Sequence, residues 1–465
     1  MFLRCASTSL FSLASDAGAG AAPTPCYVVR AEASPFLATH TSVLCGGTNG
    51  AARLLGVGAD GTLAALATLP GAPVPTAAAG ARGGAQPVCD VAFADAHTAA
   101  VCLETGRTTL WDLRAHPGTV APTPACVLGN TQRAQAMCAN RDGHTLAVAC
   151  GERLCLWDAR QPARALAVYR DIHTDDVTCL CFARSHPRTL VSGSMDALVC
   201  ATDTSQAPDD DDSSSAAAAA AAGHGGDDDD MEDGEYGELL DAVLSVEHPV
   251  ERIEFLGDDD THLSVITCDE CVSLWSLPTV CVPFPIHLLL VVAVVVVVTA
   301  PAHFFVSSSP PPSSQSERLA DYGDPRERLL GPDGVPMNHV VAVKRDRATG
   351  ADLLVATTGA GALGLFVLRG RDIVPLVATA PAGTAPVPAG HSDLVRCAAL
   401  CNSFVVTGAE DSRVCAWTAT PLPPADAAPA PVPQEAAAAP GGQPYGNRAD
   451  SRGHARKQRS AMSPY

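Results

Sequence analysis

Short apolar runs, five to eight residues long and set between clusters of Gly, Asp, Ser and Asn, recur from Val28 to Trp417. Runs of this length, rich in Val, Leu and Phe and bounded by turn residues, predict antiparallel strands rather than helices. The fullest example reads GHSDLVRCAALCNSFVVTGAEDSRVCAWT, from Gly390 to Thr418. Leu394 to Leu400 predicts one strand, Ser403 to Gly408 a second, and Arg413 to Trp417 a third. Glu410-Asp411-Ser412 supplies the turn chemistry between the last two. His391, Thr407, Asp411 and Trp417 are spaced so that imidazole, hydroxyl, carboxylate and indole N–H can satisfy one another away from water.

The same ending returns along the chain. Arg53-Leu54-Leu55 closes a first unit and Leu110-Trp111-Asp112-Leu113-Arg114 a second. Leu154 to Arg160, containing Trp157-Asp158, closes a third, 46 residues after Trp111. In the fourth, His173, Ser192 and Asp196 repeat the polar set and Thr202 takes the Trp position, 45 residues beyond Trp157. Trp275, Phe366 and Trp417 end the fifth, sixth and seventh. The two long gaps, 73 residues to Trp275 and 91 to Phe366, each hold a low-complexity insertion whose removal restores the period. A period of 40–45 residues with this ending resembles the WD-repeat family. The segments His173 to Thr178 with Ser192 to Val199, and His391 to Arg396 with Thr407 to Asp411, carry the resemblance most fully. It implies an all-β, seven-bladed WD-repeat β-propeller over 26–420, with two low-complexity insertions and disordered termini, and no assigned catalysis.

A propeller must close, and the seventh unit ends on its third strand. Cys26 to Arg30 is expected to supply the missing strand beside Arg413 to Trp417, removing an exposed edge. Residues 1–25, Ser/Ala-rich, are expected to be a frayed leader; the composition also admits a transit peptide.

Charge changes the picture little. The net charge of −20 contains 12 acids between 206 and 238, where there is no Lys or Arg, so the remainder carries −20 + 12 = −8. That segment should stay unfolded as a solvated tether. The Val-rich insertion, 278–320, has an apolar core of about 13 residues, against the ~20 of a helical span. It also lacks flanking basic anchors, and a span there would keep the ring from closing. A loop or translated intron sequence is the expectation instead. The tail, 421–465, is Pro/Ala-rich and then basic.

The 18 cysteines lie scattered in apolar runs, which fits small buried hydrophobes in a reducing compartment, cytoplasm or nucleus. Cys268-Asp269-Glu270-Cys271 is the lone CxxC and falls where a tight turn is needed, so it reads as structure rather than a zinc site. No phosphate loop, zinc helix or GxSxG elbow is present, and neither a cofactor, a small-molecule substrate nor a sequence-specific nucleic acid is expected. The His/Asp/Ser/Thr sets in units four and seven read as buried structural groups. The function expected is a scaffold that binds other proteins. Two alternatives stand beside it. Trp111-Asp112-Leu113-Arg114 and Trp157-Asp158-Ala159-Arg160 resemble the endings by which substrate receptors meet a cullin-RING ligase adaptor, with Arg114 and Arg160 as contacts; Thr105 and Gly151 stand where an acid usually lies upstream. The basic tail also suits an RNA- or ribosome-assembly factor.

Overall fold

The computed structural model describes residues 2–10, 26–36, 41–70, 86–114, 126–128, 132–205, 240–256, 260, 262–277, 316–331, 334–346, 349–379, 390–401 and 404–420. They form seven four-stranded antiparallel blades. The first strand, β1 (Phe2–Leu10), belongs to the last blade in chain order. Blade one is β2 (Val28–Ala33), β3 (Thr41–Gly47), β4 (Ala51–Val57) and β5 (Leu63–Pro70). Blade two is β6 (Val88–Asp95), β7 (Thr98–Leu103), β8 (Thr108–Asp112) and β9 (Cys126–Leu128). Blade three is β10 (Ala136–Ala139), β11 (Thr145–Cys150), β12 (Arg153–Asp158) and β13 (Ala165–Tyr169). Blade four is β14 (Val177–Phe182), β15 (Thr189–Ser194), β16 (Leu198–Asp203) and β17 (Leu240–Ser245). Blade five is β18 (Val250–Leu256), β19 (His262–Thr267), β20 (Val272–Ser276) and β21 (Glu317–Gly323). Blade six is β22 (His339–Arg345), β23 (Asp352–Thr357), β24 (Leu363–Arg369) and β25 (Asp372–Thr379). Blade seven is β26 (Val395–Cys401), β27 (Phe404–Ala409), β28 (Arg413–Thr420) and, outermost, β1.

That last pairing corrects an expectation. Ring closure comes from β1, which runs antiparallel to β28 with Cys5 opposite Trp417 and Leu10 opposite Arg413. Cys26 to Arg30 instead enters the innermost strand of blade one, beside β3. Blade one needs four strands of its own, and lending the one before β3 would leave it three. The propeller therefore begins at Phe2 rather than at residue 26. Leu3 and Cys5 alternate inward and are buried against Val341, Val355 and Trp417. A short parallel pairing, Phe2 opposite Ala378 and Leu3 opposite Thr379, also joins β1 to blade six.

One of the two insertion boundaries shifts as well. β17 starts at Leu240, so the acidic insertion falls between the third and outermost strands of blade four. Residues 317–320, placed with the Val-rich insertion on sequence grounds, instead begin the outermost strand of blade five, Glu317–Gly323. The remaining expectations for 11–25, 206–238, 278–315 and 421–465 concern residues outside those described.

The core lies between blades. Small residues dominate it: Ala, Val, Leu and Cys from adjacent faces, with Trp111, Trp157, Trp275 and Trp417 as the large fillers. Close approach has a specific cause at two glycines. A Cβ on Gly193 would sit 2.6 Å from Val250 of blade five, and one on Gly408 would sit 2.4 Å from Val28 of blade one. Both follow the Ser or Thr of the polar sets, so Ser192-Gly193 and Thr407-Gly408 couple a hydrogen-bonding hydroxyl to a tight blade-to-blade contact.

Candidate functional site

The expected polar set of blade seven is assembled. Trp417 Nε1 donates to Thr407 Oγ1 at 2.7 Å, and Thr407 Oγ1 lies 2.8 Å from His391 Nε2. His391 Nδ1 lies 3.2 Å from Asp411 Oδ1. With the indole donating to Thr407, the hydroxyl proton is free to go to Nε2, which leaves the Nδ1 proton for the carboxylate. Asp411 also accepts from the amides of Ser392 (2.9 Å) and Arg413 (3.0 Å), which pins the turn whose left-handed residue is Ser412 at φ 63°. Burial alone would raise the Asp411 carboxyl. The hydrogen bonds from His391 and the Ser392 amide outweigh it, and the carboxyl sits below its ordinary value. Gly390 is required here: a Cβ would fall 2.4 Å from the Trp417 ring.

Blade four repeats the chain without its last member. His173 Nδ1 is 3.0 Å from Asp196 Oδ2, and Nε2 is 2.8 Å from Ser192 Oγ. Asp196 accepts from the Thr174 and Leu198 amides at 3.0 and 2.9 Å. Thr202 occupies the Trp place and its buried hydroxyl has no partner. Burial pushes His173 below its ordinary value; Asp196 only partly opposes this, so the ring stays neutral.

In the other blades the hydroxyl is missing. The strand position two beyond the residue paired with the Trp is Val101 in blade two and Val148 in blade three. The indole N–H groups of Trp111 and Trp157 accordingly have no partner. Trp275 turns its N–H to Ser273 at 2.9 Å and lies under the Arg318 guanidinium, 5.4 Å from the ring. Cys268 to Cys271 forms the β19–β20 turn, with Glu270 left-handed at φ 72° and Asp269 accepting from Thr267. Among the described residues no His/Cys/Asp/Glu group is arranged to hold a metal.

Arg114 and Arg160 are well exposed, at 68% and 67% of their side-chain surface. Each closes on the aspartate two residues before it. Arg114 Nε and Nη2 reach Asp112 at 2.9 and 2.7 Å, and Arg160 reaches Asp158 at the same distances. These forks, with the backbone amide bond to the same carboxylate, hold Asp112 and Asp158 down at about 2. Arg326 and Asp324 make the same clamp outside any Trp-Asp ending, so Asp-x-Arg folds this way by itself.

A second site lies where no sequence motif stands. The innermost strands of the blades line a channel that widens into a cavity of about 1200 Å³ on the face opposite the polar sets. Alternation along these strands points Arg30 and Glu32 of β2, and Arg252 and Glu254 of β18, to the same lumen. Asp90 of β6 and Lys344 of β22 join them. Arg30 pairs with Asp90 at 3.5 Å, and Lys344 with Glu254. Several of these groups also strap one blade to the next. Glu32 accepts from the Phe93 amide at 3.1 Å and Asp90 from the Met137 amide at 3.1 Å. Burial first, then the neighbouring Asp90 charge, pushes Glu32 up to about 8. Burial, and secondarily Arg30, pushes Arg252 down. The signal that would have found this site is charge at alternate positions of otherwise apolar strands: Arg30/Glu32 and Arg252/Glu254.

The fold is thus a seven-bladed β-propeller with WD-type blades. Residues 166–202, the end of blade three and most of blade four, match the family model described as WD domain, G-beta repeat. The chain is similar to the WD repeat-containing protein GTS1 of Arabidopsis thaliana, at 28% identity over 131 residues. That stretch is 28% of this chain and 26% of the relative, so the likeness spans about a quarter of each.

Proposed function

We propose that this chain is a non-catalytic scaffold that brings other proteins together on its propeller faces, in the cytoplasm or nucleus. The observation that carries this reading is the fate of the two triad-like sets. His173 and His391 have no exposed side-chain surface, and both ring nitrogens of each are engaged by neighbouring blade side chains. No substrate atom has access to a base held in this way. Within the WD-repeat class, the segments around His173 and His391 resemble WD repeat-containing protein 89, from which only a propeller without assigned catalysis is carried over.

A second reading, a substrate receptor of a cullin-RING ligase, is favoured by one observation: Arg114 and Arg160 stand exposed at matching positions of consecutive blades. Affinity purification with mass spectrometry, wild type against Arg114→Ala/Arg160→Ala, tests both readings. Recovery of partners that do not depend on the two arginines supports the scaffold. A ligase adaptor present with wild type and lost in the double variant replaces it with the receptor reading.

A further inference from the structure

The channel charges do not balance locally. Arg30 has Asp90, and Lys344 has Glu254. Arg252 has only the neighbouring Glu251, at 3.8 Å, beyond hydrogen-bonding distance. Its guanidinium reaches instead from blade five to the Arg396 carbonyl of blade seven, 3.4 Å away, and so crosses the lumen in front of blade six. Two guanidiniums close together in a partly dehydrated site create a demand for an anion that water meets poorly.

We propose that the funnel receives the C-terminal end of an extended acidic peptide, with the terminal carboxylate held by Arg252 and Arg30. This rests on the scaffold reading and names its partner class. Three features favour this occupant. The cavity, about 1200 Å³, exceeds the ~300–1,000 Å³ usual for small ligands and has room for a main chain. A chain entering N-terminus first would bring an ammonium against Arg30, Arg252 and Lys344, whereas a C-terminus brings a planar carboxylate that matches a guanidinium fork. Arg184, at the mouth and without a partner among the described residues, favours acidic side chains upstream of the terminus. Burial and the Asp90 charge raise the Glu32 carboxyl to about 8, which lessens its repulsion of the incoming carboxylate.

The test is fluorescence anisotropy on the full chain with a labelled peptide of alternating Glu and Ala ending in a free carboxylate, beside its C-terminal amide. Binding of the free acid, with the amide about tenfold weaker, is expected. Arg252→Gln should also weaken the acid about tenfold while its melting temperature stays unchanged. The acid–amide comparison on wild type stands even if the variant misfolds. Equal binding of acid and amide overturns the proposal, as does a folded Arg252→Gln that binds like wild type. No binding up to about 1 mM overturns it too, and displacement by inorganic phosphate at comparable concentration reduces the site to one for small anions. If Arg252→Gln retains every captured partner, the scaffold stands and the funnel is not its docking place.

Discussion

Blades four and seven carry the same His–Ser/Thr–Asp geometry, and they part at the residue that ends the chain of hydrogen bonds. In blade seven the chain ends on Trp417, whose indole donates to Thr407 and fills the gap toward blade six. In blade four it ends on Thr202, which brings a hydroxyl to a place with no acceptor. The difference separates two roles that the full set merges. The His–Asp hydrogen bond fixes the turn, and it survives without the Trp. Filling the space between blades and satisfying the hydroxyl are the Trp's contributions, and blade four forgoes them.

The largest expected break in this comparison is Trp417→Ala, which removes a buried aromatic, 3% exposed, at the ring-closing blade. It should cost about 3–5 kcal/mol, read as the shift in denaturant midpoint. A loss near zero would mean that blade seven is not held by its Trp. A sharper comparison applies one chemical change to both blades. Thr407→Val strips the acceptor from Trp417 and the partner from His391, and should destabilise by about 1–3 kcal/mol. Thr202→Val removes an unpaired hydroxyl and should stabilise by about 0.5–1 kcal/mol. The same sign for both would refute the assignment of Thr202 as an orphan. The smallest effect is on pH dependence. His173 has a depressed value in the fold, so below about 6.5 the unfolded chain takes up a proton that the folded chain refuses. Stability should fall as pH drops through that value toward the folded one. Asp411, depressed by its hydrogen bonds, loses its contribution only at lower pH, as its folded value is passed. Thermal melts between pH 7 and 5 should therefore be flatter for His173→Gln than for wild type; equal slopes would exclude His173 as the source.

The tetrad of blade seven was legible because all its members are chemically distinctive and locally spaced, from His391 to Trp417. So were the five blade endings that carry Trp or Phe, because a large aromatic stands out among small aliphatic neighbours. The closing strand was not. FLRCASTSL has two inward residues, Leu3 and Cys5, and its partner lies at the other end of the chain, where no local spacing points. The channel site was hidden for another reason. Arg30, Asp90, Arg252 and Lys344 come from four blades, and only the ring geometry makes them neighbours. Asp112 and Arg114 were found, but their mutual clamp was not foreseen, because sequence shows a motif without showing where its charges point.

The strand β1 has a consequence for synthesis. Its partner, Arg413–Thr420, lies roughly 400 residues further along. At about 5–20 residues per second, the first strand leaves the ribosome roughly 20–80 s before its partner exists. Throughout that interval Leu3 and Cys5 have no face to cover them, and the growing ring presents an open edge at each end. The protein is thus most exposed to chaperones and to wrong pairing before Arg413–Thr420 is made, and becomes a closed circle only once that strand has left the ribosome.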